Sequence, residues 1–183
     1  NRRGFPRIIS FLIPAIFLFV IFYAFRMEIA YYWKQAYANS WITVNPNSDE
    51  FSSTYSNRDL SRYKTLWIFI YTLTFLSGLI FLNLKRIQSK QLGAITIVIS
   101  VLTISLALAI GFGNLEDLQK SYVNQTLAEY YQRSPFNIGI RYVLFTSIGV
   151  LLYAMHHLVL AQFNRKNIKI GFDALLHLTT LTI

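Results

Sequence analysis

The sequence predicts an all-α protein, a polytopic transmembrane helix bundle with four complete spans and the start of a fifth. Interfacial amphipathic helices are expected in two outer loops. The prediction depends on apolar stretches that contain no Asp, Glu, Lys or Arg and are long enough to cross a bilayer. About 20 helical residues cross a hydrocarbon core of about 30 Å, because each residue adds about 1.5 Å. The complete stretches are Ile8–Phe25, Thr65–Leu84, Ala94–Phe112 and Tyr142–Phe163.

Helices are favoured over a transmembrane barrel. Lipid cannot hydrogen-bond a backbone, so a spanning segment must be a helix or belong to a closed barrel. Barrel strands alternate apolar and polar residues over about ten positions. The segment Ile97–Ile110 does not alternate and is apolar on most faces. The stretches are therefore predicted to be helical.

The first stretch is predicted to be a retained helix rather than a signal peptide. It follows Arg2, Arg3 and Arg7, as the apolar region of a signal peptide would. The apolar run is longer than a typical signal region, and Arg26-Met27-Glu28 follows it in place of a small-residue cleavage site.

A fifth apolar stretch begins at Ala174 and reaches the last residue, Ile183. Residues 174–183 would extend only about 15 Å as a helix, which is half of a bilayer core. The sequence also begins with Asn1 rather than Met. We therefore expect residues 1–183 to form a single transmembrane domain belonging to a longer polytopic chain.

The distribution of basic residues predicts the orientation. Three of them lie before the first stretch, three in the short turn 85–90 and three in the short turn 164–173. The longer loops 26–64 and 113–141 contain seven of the eight acidic residues and a lower density of basic ones. Short cytoplasmic segments are enriched in Lys and Arg. The sequence therefore predicts a multi-pass cell-membrane protein with a cytoplasmic N-terminus and both longer loops outside.

The formal charge of +9 indicates lipid rather than nucleic acid as a partner. Basic residues that flank membrane helices contact anionic lipid head groups. The expected partners are membrane lipids and other transmembrane helices of the same or a partner chain. The sequence contains no cysteine, so it forms no disulfide, thiolate metal site or cysteine nucleophile. It identifies no cofactor.

The first outer loop opens with a segment, Arg26–Trp41, that can continue as a helix. Its residues Ile29, Trp33, Tyr37 and Trp41 recur every four positions, as on one face of an amphipathic interfacial helix. Trp and Tyr favour the level of the lipid head groups, so these residues are expected to anchor the segment. Alternatively, the aromatic faces of Trp33, Tyr37 and Trp41 would form a platform for a sugar or lipid-linked substrate.

Basic residues at the end of the same loop have two interpretations. Arg58 and Arg62 could hold the phosphate of a lipid-linked substrate, or they could contact membrane head groups. The second outer loop contains Leu115–Arg133, whose apolar residues recur at helical spacing. This spacing predicts a second helix on the outer surface, ended by Pro135.

Small and hydroxyl residues recur along one face of the third span. The residues are Thr96, Ser100, Thr103, Ala107 and Gly111. Small residues let helix backbones approach closely, and hydroxyl groups can bond between helices. The pattern predicts a packing face.

The fourth and fifth apolar stretches contain a candidate proton or ion relay. It comprises Tyr153, His156, His157, Asp173 and His177. Antiparallel helices would bring the three histidines to a similar depth, and a relay uses such ionisable groups. The same donors could in principle hold a metal, but adjacent histidines on a helix point about 100° apart, so we assign no metal site. A structural alternative is that the histidines bond neighbouring helices and Asp173 caps the fifth helix.

Asp49 and Glu50 are the candidate catalytic pair. Two carboxylates can act as a general base or bind a divalent cation. The pair lies in the first outer loop, beside a segment with an amphipathic pattern. In this placement the region Ile8–Lys64 resembles the membrane-embedded glycosyltransferases of the C-type fold. That resemblance implies an acidic base or metal ligand in the first outer loop and a lipid-linked sugar donor.

Two further runs resemble large uncharacterised polytopic membrane proteins of bacteria. The runs are Phe25–Ile29 after a span and Gly171–Leu178 at the start of another. This resemblance implies an envelope protein without an assigned reaction. The sequence thus leaves two functions open. The first is a non-enzymatic module, either part of a transporter or an envelope scaffold, and the second is a glycosyltransferase-like enzyme acting at the outer face.

Overall fold

The computed structural model describes residues 5–44 and 53–162, with side chains described for 13–43 and 53–162. It confirms the all-α class. The helices are α1, Phe5–Ala38, α2, Arg58–Leu82, α3, Lys90–Val123, and α4, Phe136–Gln162. A single π-helical turn, Asn83–Ile87, follows α2, and two short strands, β1 (Ile42–Val44) and β2 (Ser53–Tyr55), lie between α1 and α2.

All four helices are long and apolar enough to cross a membrane. The segments that meet both requirements are Ile13–Ala38, Arg58–Ile87, Lys90–Val123 and Phe136–Gln162. Each overlaps one of the four stretches identified from the sequence, and each begins or ends further out. The predicted fifth span, 174–183, lies outside the described residues.

Helix α1 continues past the end of its apolar stretch, as the amphipathic pattern of Arg26–Trp41 predicts. Its 34 residues correspond to a length of about 50 Å, which exceeds the hydrocarbon core of a bilayer. The helix ends at Ala38, where Ser40 donates its side-chain hydroxyl to the Tyr37 carbonyl at 2.7 Å.

The β-hairpin was not predicted from the sequence. Strands β1 and β2 are antiparallel, and Thr43 of β1 is the register partner of Thr54 of β2. The run Ile42-Thr43-Val44 was a local signal for a strand, because β-branched residues are enriched in sheets.

Helix α2 begins at Arg58, seven positions before the predicted start of the span at Thr65. Asn57 caps the helix, because its Oδ1 accepts a hydrogen bond from the Asp59 amide at 3.3 Å. An acidic residue in the first turn also suits the positive end of the helix dipole. Asn57 and Asp59 together explain the early start.

The prediction of a separate surface helix over Leu115–Arg133 is wrong. Helix α3 runs without interruption from Lys90 to Val123, so the first part of that segment is the end of the third helix. Nothing at the junction breaks the helix, and Asn114 donates its amide to the Ile110 carbonyl four residues earlier. Leu115 and Leu118 are buried and continue the packed face of α3.

The second part of that segment is a series of turns. Helix α3 ends in a Schellman motif, in which the Thr126 amide donates to the Ser121 carbonyl and the Gln125 amide to the Tyr122 carbonyl. Gln125 has the left-handed conformation this motif requires, with φ 49°. Pro135 does not end a helix, because it precedes α4 and the Ser134 hydroxyl caps the Phe136 amide at 3.3 Å.

The predicted packing face of α3 is largely buried. Thr96, Ser100, Ala107 and Gly111 are buried, and Thr103 is half-buried. The hydroxyl groups of Thr96 and Thr103 do not bond between helices. Each donates to the carbonyl four residues earlier in α3, which is a common arrangement for Thr within helices.

The described residues divide between two compact units. Of the described residues, the first unit comprises 5–44, 53–72 and 106–144, and the second comprises 73–105 and 145–162. Helices α2, α3 and α4 contribute to both. In the first unit the fully buried side chains include Leu66, Leu118 and Ile140, and in the second they include Leu73, Ile80 and Leu151.

Candidate functional site

A buried carboxylate, Asp59, lies at the centre of a polar cluster in the first compact unit. Asp59 is 3% exposed and is the only buried acidic residue in the part of the chain that the structure describes. Its Oδ1 is 2.8 Å from Nη1 of Arg62 in the next turn of α2. Its Oδ2 is 2.7 Å from Nη1 of Arg133, whose side chain is 5% exposed. The two guanidinium groups therefore hold one oxygen each.

Two neutral donors complete the coordination of Asp59. The Ser121 hydroxyl of α3 donates to Oδ2 at 2.7 Å, and the Asn137 amide of α4 donates to Oδ2 at 2.9 Å. The carboxylate consequently joins α2, α3, α4 and the connection between α3 and α4. An ionised carboxyl group has about four lone-pair sites, and four donors engage this one.

Arg133 forms hydrogen bonds through all three of its guanidinium nitrogens. Its Nη1 donates to Asn57 Oδ1 at 2.9 Å, and its Nε and Nη2 donate to the Thr126 carbonyl at 3.0 and 2.7 Å. The guanidinium lies 5.7 Å from the centre of the Tyr131 ring. A buried ion pair offsets its desolvation only when further hydrogen bonds satisfy the charged groups, and Arg133 meets this condition.

Aromatic residues pack beside the cluster. The Tyr63 hydroxyl donates to Asn137 Oδ1 at 2.6 Å and so fixes the orientation in which the Asn137 amide faces Asp59. Trp33 stacks on Tyr63 with ring centres 5.2 Å apart. Trp33 is half-buried and packs on the Tyr63 ring beside the cluster.

Tyr131 ties the connection between α3 and α4 to the end of α1. Its hydroxyl donates a hydrogen bond to the Ser40 carbonyl at 2.7 Å. The Ser40 hydroxyl accepts a hydrogen bond from the Asn57 amide at 3.0 Å. Burial raises the pKa of Tyr131 above its usual 10.0, so the phenol remains a donor at neutral pH.

A pocket of about 470 Å³, the polar pocket, opens beside this cluster. Its volume lies within the range of about 300–1,000 Å³ that is typical of small-molecule sites. The lining residues are Tyr37, Trp41, Thr54, Tyr55, Ser56, Arg58, Asp59, Arg62, Asp117, Lys120, Ser121, Thr126, Leu127 and Arg133.

The lining is basic. Its four cations are Arg58, Arg62, Lys120 and Arg133, and its two anions are Asp59 and Asp117, which gives a formal charge of +2. Arg62 also bridges the two carboxylates, because its Nη2 lies 3.0 Å from Asp117 Oδ2.

One side of the polar pocket is aromatic. Tyr37 and Trp41 of the lining are in edge-to-face contact, with ring centres 6.2 Å apart, and Trp41 is 54% exposed. Tyr55 stacks on Tyr130 at 6.2 Å. The Tyr37 hydroxyl is 3.1 Å from the Ser56 Oγ and holds the hairpin against α1.

The structure brings together four of the five residues predicted to bind substrate. Tyr37, Trp41, Arg58 and Arg62 all line the polar pocket, and Trp33 does not. No sequence pattern indicated that Asp59, Ser121, Arg133 and Asn137 form a cluster. The spacing of Asp59 and Arg62 at i and i+3 was a local signal for one ion pair of this cluster.

The other predicted site residues are only partly described. Tyr153, His156 and His157 lie on α4 and are exposed. The rings of Tyr153 and His157 are in edge-to-face contact at 4.5 Å, and those of His156 and His157 are 5.9 Å apart. Asp49, Glu50, Asp173 and His177 lie outside the described residues. Within residues 5–44 and 53–162, no group of three or more His, Asp or Glu side chains could hold a metal ion.

Four helices that are long and apolar enough to cross a membrane place this chain in the class of multi-pass membrane proteins. Comparison with protein-family models, curated proteins and solved structures found no match.

Proposed function

We propose that this chain is a non-enzymatic module of a multi-pass membrane protein, and that it binds a small polar ligand in the polar pocket. The module would serve either as part of a transporter or as an envelope scaffold. The observation that carries the proposal is a pocket of about 470 Å³ whose charged floor is held rigid by the hydrogen bonds of Asp59. Preorganised polar groups in a concave site are typical of ligand-binding pockets.

The coordination of Asp59 argues for binding rather than acid–base catalysis. A general base needs a lone pair directed at the proton that it removes. Both oxygens of Asp59 already accept hydrogen bonds from Arg62, Arg133, Ser121 and Asn137. Proton abstraction would break one of these bonds, and the carboxylate is therefore assigned a positioning role.

Lipid and other transmembrane helices are the proposed partners around the module. None of the most apolar part of α1 is buried, and Ile16, Phe17 and Phe19 are each more than half exposed. Such surface is stable in lipid or against another apolar helix. The same argument supports a cell-membrane location and gives no role to nucleic acid.

The test fills the polar pocket and compares ligand-induced stabilisation. Thr54 of β2 is exposed and lines the pocket, whereas its register partner Thr43 is exposed and does not. Purified protein in detergent is heated with a panel of small polar solutes such as glucose, glutamate and glucose 6-phosphate. A ligand at a hundred times its Kd stabilises the folded state by about 2.7 kcal/mol.

We expect at least one solute to raise the Tm of the unmodified chain and of Thr43→Trp, and to leave Thr54→Trp unchanged. The added indole occupies the pocket only in Thr54→Trp. A solute effect that is equal in both variants would show that the ligand binds elsewhere and would contradict the proposal.

A glycosyltransferase-like enzyme is the second candidate. Thr54 and Tyr55 of β2 line the polar pocket, and the candidate catalytic residues Asp49 and Glu50 precede β2 in the chain. This candidate assigns the base to Asp49 or Glu50, and the aromatic side of the pocket to the sugar.

A further inference from the structure

The charges of the polar pocket can be separated into a compensated set and a residual set. Arg133 and Asp59 form one ion pair, and Arg62 is paired with Asp117 as well as with Asp59. These four charges cancel. Arg58 and Lys120 account for the formal excess of +2 on the lining.

Arg58 and Lys120 are both available to a ligand. Arg58 is exposed and has no ion-pair partner among residues 13–43 and 53–162. Among the residues whose side chains are described, Lys120 pairs only with Glu116, which lies one helical turn away and outside the lining, and both side chains are more than 60% exposed. Exposed pairs of this kind contribute about 0–1 kcal/mol, so an anion in the pocket competes easily for Lys120.

We propose that the ligand of the polar pocket carries a phosphate monoester, bound by Arg58 and Lys120. The proposal deepens the proposed function and rests on it. A phosphate monoester has a charge of about −1.5 to −2 at neutral pH, which matches the excess of +2, and a diester has only −1.

The aromatic side of the pocket indicates what the phosphate is attached to. Trp41 and Tyr55 are exposed lining residues on which a ring can stack. A phosphorylated sugar satisfies both the basic and the aromatic parts of the lining. The phosphate monoester itself could belong to a soluble compound or to a lipid head group, and the experiment distinguishes these sources.

The test is a titration of the full chain in nanodiscs, followed by tryptophan fluorescence. Trp41 is the only tryptophan of the lining, so Trp41→Phe serves as the silent reference. The soluble probes are glucose 6-phosphate and unphosphorylated glucose in phosphatidylcholine nanodiscs. The lipid probe is phosphatidic acid, a phosphate monoester, compared with phosphatidylglycerol, a diester.

We expect a phosphate monoester to change the Trp41 signal and to bind at least ten times more weakly in Arg58→Gln and in Lys120→Gln. Arg141→Gln is the matched control, because it removes an equal charge and Arg141 does not line the pocket. Binding should weaken below pH 6, because the phosphate gains a proton at about that pH. Preference for glucose 6-phosphate or for phosphatidic acid identifies the source.

Three results would overturn the inference. Equal binding of glucose and glucose 6-phosphate would show that the pocket binds a sugar without recognising its phosphate. This result would agree with the proposed ligand-binding function and would contradict the phosphate monoester as the ligand class. Equal weakening in Arg58→Gln and Arg141→Gln would indicate nonspecific attraction to a basic surface. A Trp41 signal that no probe changes, together with no solute-induced rise in Tm, would remove both the ligand class and the binding function.

Discussion

At the scale of single residues, Asp59 connects several elements of the first compact unit. It joins three helices and a connection through four donors, and its partner Arg133 is nearly as buried. Replacing Asp59 would leave the guanidinium of Arg133 without its counter-ion. Removal of one partner of a buried pair typically costs about 3–5 kcal/mol.

We therefore predict that Asp59→Ala lowers the free energy of unfolding by about 3–5 kcal/mol. Asp117→Ala is the control, because Asp117 also pairs with Arg62 but its side chain is 50% exposed. An exposed pair contributes about 0–1 kcal/mol, so the control should unfold almost as the unmodified chain does. Denaturant unfolding in detergent measures both. Similar losses for the two variants would contradict the central role of Asp59.

At the scale of elements, the continuity of α3 is the main difference between expectation and structure. The predicted third span ends at Phe112, and the charged residues Glu116, Asp117 and Lys120 follow it. Charge limits how far a helix stays in lipid, but it does not end the helix. The helix ends instead at the Schellman motif, where Gln125 has the left-handed conformation and the Gln125 and Thr126 amides hydrogen-bond to carbonyls of the last turn.

Substitutions at Gly113 test whether α3 is continuous at this position. A Cβ at Gly113 would meet nothing within 4 Å, and the residue lies inside α3. Gly113→Ala should therefore stabilise the protein by about 0.5–1 kcal/mol, the cost of glycine in a helix. Gly113→Pro should destabilise it by about 3 kcal/mol or more, because proline removes a helical hydrogen bond and clashes with the preceding turn. Thermal unfolding of both variants measures these changes. If the helix broke at Gly113, Gly113→Pro would unfold at about the same temperature as the unmodified chain.

At the scale of the whole molecule, the four apolar helices account for the class of protein and leave its orientation as a prediction. The predicted orientation has the loops 26–64 and 113–141 outside, and these two loops contain every residue of the pocket lining. The chain contains no cysteine, so single introduced cysteines report location without further substitution.

We predict that Thr54→Cys reacts with a membrane-impermeant maleimide added outside intact cells. Gln91→Cys, near the start of α3, should react only after the membrane is permeabilised. Both positions are exposed, so their reactivity depends on the side of the membrane. The reverse labelling pattern would invert the orientation and assign the polar pocket to the cytoplasmic side.

The sequence by itself determined that this protein is suited to a lipid environment and that it is helical. It also identified the four segments that can span a membrane. It also identified Tyr37, Trp41, Arg58 and Arg62 as candidate binding residues. These are local properties, because the need to satisfy backbone groups in lipid follows from the composition of each stretch. The tertiary structure alone decided that Asp59 meets Ser121, Arg133 and Asn137, which lie 62, 74 and 78 positions away. Such contacts depend on how the helices pack and where the connection between α3 and α4 turns back, and no local pattern contains that information.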